Sequence, residues 1–125
     1  MINLKSKTIG SVILTPDGTV CKQANIIKEI VGKTIIINLN CEFNAVSSAL
    51  PYTLIASGVP SELITKNEIY AYAQILTSTE GLTNNACLVQ IKNASVSDDG
   101  KIFIKTAGGI ANGCRLRVSI PILSA

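Results

Sequence analysis

Few side chains in this sequence can do chemistry, and their types limit which reactions are possible. The chain has no histidine, which removes the usual general base beside a nucleophile and the usual nitrogen ligand of zinc. It also lacks the G-x-S-x-G sequence of a nucleophile elbow. The four cysteines are widely spaced and include no C-x-x-C pair: Cys21, Cys41, Cys87 and Cys114. We therefore expect no enzyme, no metal and no cofactor, and interpret the cysteines as buried strand residues, with a disulfide as the alternative.

Carboxylate pairs are the other route to catalysis, because a glycosidase needs two acids across a cleft. Glu42 and Glu68 fall in predicted strands and could meet across a sheet, but solvent-facing charges are the stronger interpretation. Asp98 and Asp99 precede Gly100, where local turn capping explains both acids. Calcium binding at that point has no support from EF-hand spacing.

Positive charge is mild and dispersed. The chain has 11 Lys and Arg against 8 Asp and Glu, a formal charge of +3, and no basic run, so we expect no nucleic-acid partner. Lys101, Lys105, Arg115 and Arg117 alternate with apolar residues near the end of the chain. They could form one outward cationic patch if their strands are neighbours, and an anionic glycan or a phosphate-bearing polymer would suit such a patch. A solvated face is the default interpretation.

Apolar residues alternate with polar ones along most of the chain, which predicts strands. The predicted strands are Thr8–Thr15, Thr19–Gln23, Ala24–Val31, Lys33–Asn44, Pro51–Ser57, Glu68–Ser78, Ala86–Ser95, Lys101–Thr106 and Cys114–Ile120. A single helical turn is the alternative for Ala24–Val31. The pattern indicates one domain over residues 1–125. Its fold class is all-β, an antiparallel, jelly-roll-like β-sandwich of about eight strands with little or no helix.

The stretch from Ala86 to Ile120 predicts a β-meander that closes a sheet. Its first turn is Asp98-Asp99-Gly100, with the glycine in the left-handed conformation, and Asn112-Gly113 predicts a type I′ hairpin. Gly108-Gly109 predicts a loop that needs positive φ. Thr79–Asn85 is interpreted as a loop, and Pro121 is expected to end the last strand.

The composition is apolar. Charged residues make up 15% of the chain and mean hydropathy is +0.41, yet no uninterrupted apolar run approaches the roughly 18 residues of a membrane span. Met1–Lys7 has no apolar core typical of a signal peptide. We therefore expect no membrane insertion, and we expect the excess apolar surface to form a subunit interface. The strand from Glu68 predicts an outward face that carries Tyr70 and Tyr72.

From Gly32 onward, the order of segments is GKTIIINLNCEF, TLIASGVP, EIYAYAQI, ACLVQI, DDGKIFI and CRLRVSIPIL. This order resembles the C-terminal head domains of phage tail-fibre and baseplate receptor-binding proteins. The resemblance implies a β-sandwich head that forms a homotrimer on the virion, after assembly in the bacterial cytoplasm. It implies contacts with other virion proteins and recognition of a host cell-surface saccharide, without cofactor or reaction.

Saccharide contacts generally use exposed aromatic rings and polar loops. The candidate ligand-binding residues are therefore Tyr52, Tyr70, Tyr72, Asn84, Asn85 and Asp98. The alternative function is a purely structural virion component, such as a capsid-decoration or baseplate protein without glycan binding. The assembled oligomer and binding to host cell walls would separate the two.

Overall fold

A computed structural model describes residues 6–63, 68–92 and 100–123. Within these residues the chain forms nine strands and one 3₁₀ turn at Ser61–Leu63. The strands are β1 (Ser6–Ile13), β2 (Thr15–Pro16), β3 (Cys21–Val31), β4 (Thr34–Phe43), β5 (Thr53–Ser57), β6 (Glu68–Leu76), β7 (Leu82–Lys92), β8 (Ile102–Thr106) and β9 (Arg115–Leu123). The prediction of an all-β antiparallel fold with little helix is confirmed.

All nine strands belong to one sheet, in the order β1-β3-β4-β9-β6-β7-β8-β5-β2. The sheet is nearly closed into a barrel, and the linkage between its two ends explains why. Ile13 still pairs with β3, whereas Thr15 already pairs with β5 at the opposite end of the order. Two residues span at most about 7 Å, so the two ends must lie side by side. Leu14, between them, points into the core and donates its N–H to the carbonyl of Ala24 (3.0 Å).

The core is built mainly from branched aliphatic residues on the inward face of each strand. In β4 the inward face carries Ile37, Leu39, Cys41 and Phe43, which are buried, while the residues between them are only partly covered. Fully buried side chains on the other strands include Ile26, Ile55, Ile75, Ile91, Ile102, Ile104 and Leu116. The four cysteines are buried and free, as interpreted from the sequence.

The predicted meander is correct for β7 and β8 but wrong for β9. β7 and β8 are antiparallel neighbours, and Gly100 has the expected left-handed φ of 60°. β9, however, lies between β4 and β6. The loop that leads into β9 pairs with the loop that follows β4. Val46 and Ile110 each donate a backbone N–H to the other's carbonyl (2.7 and 2.8 Å). Alternation identifies a strand but not its neighbours, so the sequence could not place β9.

The Asn112-Gly113 prediction was also wrong in turn type. A type I′ turn needs positive φ at both central residues, but only Gly113 has it (84°). Cys114 donates its N–H to the carbonyl of Ala111 (3.1 Å), which closes a tight turn just before β9. This turn is not a hairpin, because the strands before and after it, β8 and β9, do not pair with each other. Gly109 was predicted to need positive φ. The glycine is needed instead for the close approach of two backbone segments, because a Cβ at Gly109 would lie 2.5 Å from the Val46 carbonyl oxygen.

Several strand boundaries differ from the predictions. Ala24–Val31 is a strand, as favoured, and is continuous with the preceding segment in β3. β7 begins at Leu82, so the predicted loop Thr79–Asn85 is half strand. The first residues of β7 extend beyond the core, so polar side chains can occupy both faces of the strand there. β9 continues through Pro121. On the side of β9 that faces β6, the described residues pair only at Leu76. Proline lacks an N–H, and this is tolerated on an unpaired side of a strand.

Candidate functional site

Aromatic side chains are concentrated outside the barrel, on one part of the sheet. Of the three tyrosines and two phenylalanines, only Phe43 lies in the core. Tyr70 on β6 is aligned with Gln90 on β7, Phe103 on β8 and Leu54 on β5, which forms one outward row across four strands. The next row aligns Tyr72, Leu88 and Lys105, beside Tyr52. We call these eight residues, together with Lys92, the tyrosine face.

The three tyrosine rings of the tyrosine face remain open to solvent, and two of them have a polar neighbour. Tyr72 is 83% exposed, Tyr70 52% and Tyr52 48%. Gln90 Nε2 donates a hydrogen bond to the Tyr70 hydroxyl oxygen (3.1 Å). The ammonium of Lys105 lies 5.8 Å from the centre of the Tyr52 ring, within cation–π range. The face therefore combines flat apolar rings with the exposed ammonium of Lys105, which can bind hydroxyl groups.

Beside the tyrosine face, β6 and β9 separate. Among their described residues they pair only at Leu76 and Arg115, although each pairs along its length with its other neighbour. The space between them is a shallow groove of about 660 Å³, lined mainly by apolar atoms. Tyr72 lies on one side of the groove and Arg117 on the other, and Leu82, 79% exposed, borders it. We call it the β6–β9 groove.

A polar depression of about 200 Å³ lies on the outward face of β3, β4 and β9. Two cross-strand rows form it, Gln23-Glu42-Arg115 and Asn25-Asn40-Arg117. We call it the arginine trough. Arg117 lines both the trough and the β6–β9 groove, so the three surfaces are contiguous from Tyr72 to the trough.

Glu80 lies over the arginine trough, in the turn between β6 and β7. Its carboxylate accepts a hydrogen bond from Arg117 Nε and lies 3.7 Å from Arg115 Nη1. Arg117 Nη1 also donates to Asn40 Oδ1 (2.6 Å), which fixes the plane of the guanidinium. The hydrogen bond and charge of Arg117, with a smaller effect of Arg115, lower the pKa of Glu80. The trough thus contains two oriented guanidinium groups that already bind one carboxylate.

The possible single cationic patch is excluded by the strand order. β8 and β9 are separated by β7 and β6, so the basic residues form two groups. Lys105 lies near Tyr52, whereas Arg115 and Arg117 bind Glu80. The possible pairing of Glu42 with Glu68 is excluded by topology, because β9 lies between β4 and β6.

The remaining candidates have different outcomes. Asn85 is half-buried, and its side chain is used by the chain itself. It donates to the carbonyls of Gly108 (3.1 Å) and Gly109 (2.8 Å) and accepts the N–H of Gly108 (2.8 Å). Asn84 is exposed beside it and borders a cavity of about 300 Å³. Asp98 lies outside the described residues. The structure therefore assigns Asn85 a structural role.

The sequence analysis identified the tyrosines but missed Glu80 and the amide residues of the arginine trough, which are Gln23, Asn25 and Asn40. Asn38, Asn40 and Glu42 alternate with the core residues of β4, and that regular polar series was the available signal for a polar outer face. Nothing in the sequence marked Glu80, which reaches the arginines only because β9 is inserted next to β6.

The described residues include no group of three or more His, Cys, Asp or Glu side chains placed to bind a metal ion. Among the same residues, no helix is long and apolar enough to cross a membrane. No protein-family model, curated protein or solved structure matches this chain.

Proposed function

We propose that this chain is a non-catalytic phage virion protein, a head module of the fibre or baseplate type that binds a host cell-surface saccharide through the tyrosine face. The observation that supports this most is the placement of four of the five aromatic rings outside the core, on one face. Buried aromatic rings would add much to the stability of such a domain, so their exposure favours a binding role.

The chemistry of the tyrosine face suits a sugar. A pyranose ring has apolar C–H faces that can lie flat on Tyr70 and Tyr72, and hydroxyl groups at its rim. Lys105 provides an exposed ammonium at the height of the rings, and the buried Gln90 amide holds the Tyr70 hydroxyl in place. Large rings with few rotatable bonds provide contact area at a low cost in conformational entropy.

Absence of catalysis is part of the proposal. Glu80 is the carboxylate that lies closest to the arginines, and its lowered pKa keeps it ionised and unsuited to protonating a leaving group at neutral pH. We expect the purified protein to leave host polysaccharides intact over long incubation. Release of reducing ends would contradict this part of the proposal.

The test of the proposed function is a pair of variants at Tyr72, the most exposed ring. Tyr72→Ala should weaken binding to host cell walls about 30-fold, as expected for a hot spot worth ~2 kcal/mol. Tyr72→Phe keeps the ring and should retain most of the binding. Cell-wall pull-down and a glycan array measure both variants. Equal binding by wild type and Tyr72→Ala, or no binding to any wall, would contradict the proposal.

A purely structural virion component is the second candidate, favoured by exposed aliphatic side chains. Ile13 is 89% exposed and Leu82 79%, and neither contributes chemistry for a sugar. Both candidates include a homotrimer, which would cover such residues. Light scattering should then give three times the chain mass of 13.2 kDa. A monomer at micromolar concentration would contradict the trimer, and a trimer without wall binding would favour the structural role.

A further inference from the structure

Glu80 is held in an unusual backbone conformation. Among the described residues it is the one non-glycine residue with positive φ (66°). Its turn is closed by two backbone hydrogen bonds, from Thr77 N–H to the Gly81 carbonyl and from Glu80 N–H to the Thr77 carbonyl, both 2.9 Å. A left-handed conformation at this point of a hairpin favours glycine or asparagine. A glutamate there is disfavoured locally, which suggests that its side chain has a role.

The turn directs the Glu80 carboxylate onto Arg117 and close to Arg115. These side chains remain between 34% and 45% exposed, and ion pairs at such exposure stabilise a fold little. The stability of the fold therefore does not depend on this carboxylate. Another carboxylate can replace it at low cost, since the guanidinium groups would keep an equivalent partner.

The arginine trough is prepared for such a replacement. Asn40 orients the Arg117 guanidinium independently of Glu80, through the hydrogen bond to its Nη1. Gln23 and Asn25 line the opposite side with amide groups that can bind hydroxyls. A volume of about 200 Å³ is below the usual range of about 300–1,000 Å³ for whole ligands, so the trough suits the end group of a larger one.

Continuity with the tyrosine face indicates what that larger ligand is. The β6–β9 groove joins Tyr72 to Arg117, so a chain molecule lying on the rings can reach the trough without a break. Planar guanidinium groups bind carboxylates through paired hydrogen bonds. The surface therefore provides ring stacking at one end and carboxylate binding at the other.

We infer that the ligand is an acidic saccharide of the uronic-acid type, and that its carboxylate displaces Glu80 from Arg117 and Arg115. This inference rests on the proposed saccharide function and adds to it the chemical class of the ligand and the site of its acid group. Glu80 acts as an internal substitute for the ligand in the free protein. Glu42 stays in the trough beside Arg115 and disfavours ligands with a second acid group at that end.

The test uses a galacturonic acid trisaccharide and its methyl ester, titrated into the full chain and followed by NMR. The acid should bind and shift the Arg117 side-chain N–H signal, whereas the ester, which lacks the charge, should bind at least about ten-fold more weakly. Glu80→Gln removes the internal competitor and should tighten binding of the acid by about two- to five-fold. Arg117→Ala should weaken it by about ten-fold or more.

Two further variants keep the result interpretable. Arg117→Lys preserves the charge and the fold but loses the planar fork, so it should weaken the acid more than the ester. Lys7→Ala removes one cation from an exposed position of β1 and should change nothing. Triglutamate, a peptide with three side-chain carboxylates, should bind more weakly than the sugar acid, because it has no pyranose ring to stack on Tyr72.

Other outcomes overturn the inference and separate it from the proposed function. If acid and ester bind equally, or if Glu80→Gln and Arg117→Ala leave acid binding unchanged while Tyr72→Ala abolishes wall binding, the acidic-ligand inference is wrong and the saccharide function stands. Equal binding of triglutamate would mean that the trough recognises protein carboxylates. Loss of binding to every saccharide and wall preparation would overturn both.

Discussion

At the scale of single residues, the backbone strain at Glu80 can be measured separately from its ion pairs. Glu80→Ala removes the carboxylate but keeps a Cβ in the left-handed region, whereas Glu80→Gly removes both. We expect Glu80→Gly to be more stable than Glu80→Ala by about 1 kcal/mol, despite the greater freedom of glycine in the unfolded chain. Denaturant unfolding of the two variants gives the difference. If Glu80→Gly is instead the less stable variant, the turn imposes no strain, because only the unfolded-state entropy of glycine then separates the two.

Because of Cys87, the free energy of unfolding depends on pH in the alkaline range. Burial raises the pKa of its thiol from 9.0 to about 12. Between these values the unfolded chain has lost the proton and the folded chain keeps it, so the free energy of unfolding decreases as pH rises above 9. The loss is on the order of 1 kcal/mol per pH unit. Denaturant midpoints measured from pH 7 upward should fall more steeply for wild type than for Cys87→Ala.

The thiols of Cys21 and Cys41 interact within the same core. Their mutual hydrogen bond lowers the pKa of Cys21, and the same contact, with burial, raises the pKa of Cys41 well above its usual value. Cys41 therefore adds to the alkaline loss of stability, and Cys87→Ala should reduce the slope without abolishing it. A slope that Cys87→Ala leaves unchanged would contradict the assignment to Cys87.

At the scale of elements, Asn85 connects β7 to the loop that leads into β9. Asn85→Ala removes three hydrogen bonds to Gly108 and Gly109 and leaves a partly buried N–H without its partner. We expect a loss of about 2–3 kcal/mol, above the usual range for one exposed side chain. The exposed neighbour gives the control, since Asn84→Ala should change the free energy of unfolding by less than about 0.5 kcal/mol. Equal losses would contradict the structural role.

Strands were predictable where one face is buried and the other is not. The alternation in β4 and β6 separated the residues that face the core from those that face outward, such as the tyrosines of β6. It could do so because successive side chains of a strand point to opposite faces, of which only one is buried. The start of β7 was not predictable. Leu82 pairs with Leu76 beyond the core, where the half-buried Thr83 is polar and apolar residues therefore do not mark the inward face.

At the scale of the whole molecule, the order of strands determines the site. Residues 72 and 117 are far apart in sequence, and they border one groove because β9 enters the sheet between β4 and β6. Local patterns contain no information on that choice, which depends on which faces fit together across the core. For this reason the sequence identified the tyrosines and singled out Arg115 and Arg117, but it grouped these arginines with the lysines of β8 and missed the amide residues and Glu80 of the arginine trough.

Closure of the sheet depends on the corner at Leu14, and this gives a test of the architecture. The side chain is 3% exposed, between the last pair of β1 and the first pair of β2. Leu14→Ala leaves a cavity where the two ends of the sheet meet and should cost about 2–5 kcal/mol. Ile13→Ala is the matched control, because that side chain is 89% exposed and its loss should cost less than about 0.5 kcal/mol. If both variants unfold at the same denaturant concentration, the ends of the sheet do not meet at Leu14. A closed sheet also predicts that Leu14→Ala speeds hydrogen exchange in both β1, the first strand of the order, and β5, which pairs with the last strand β2.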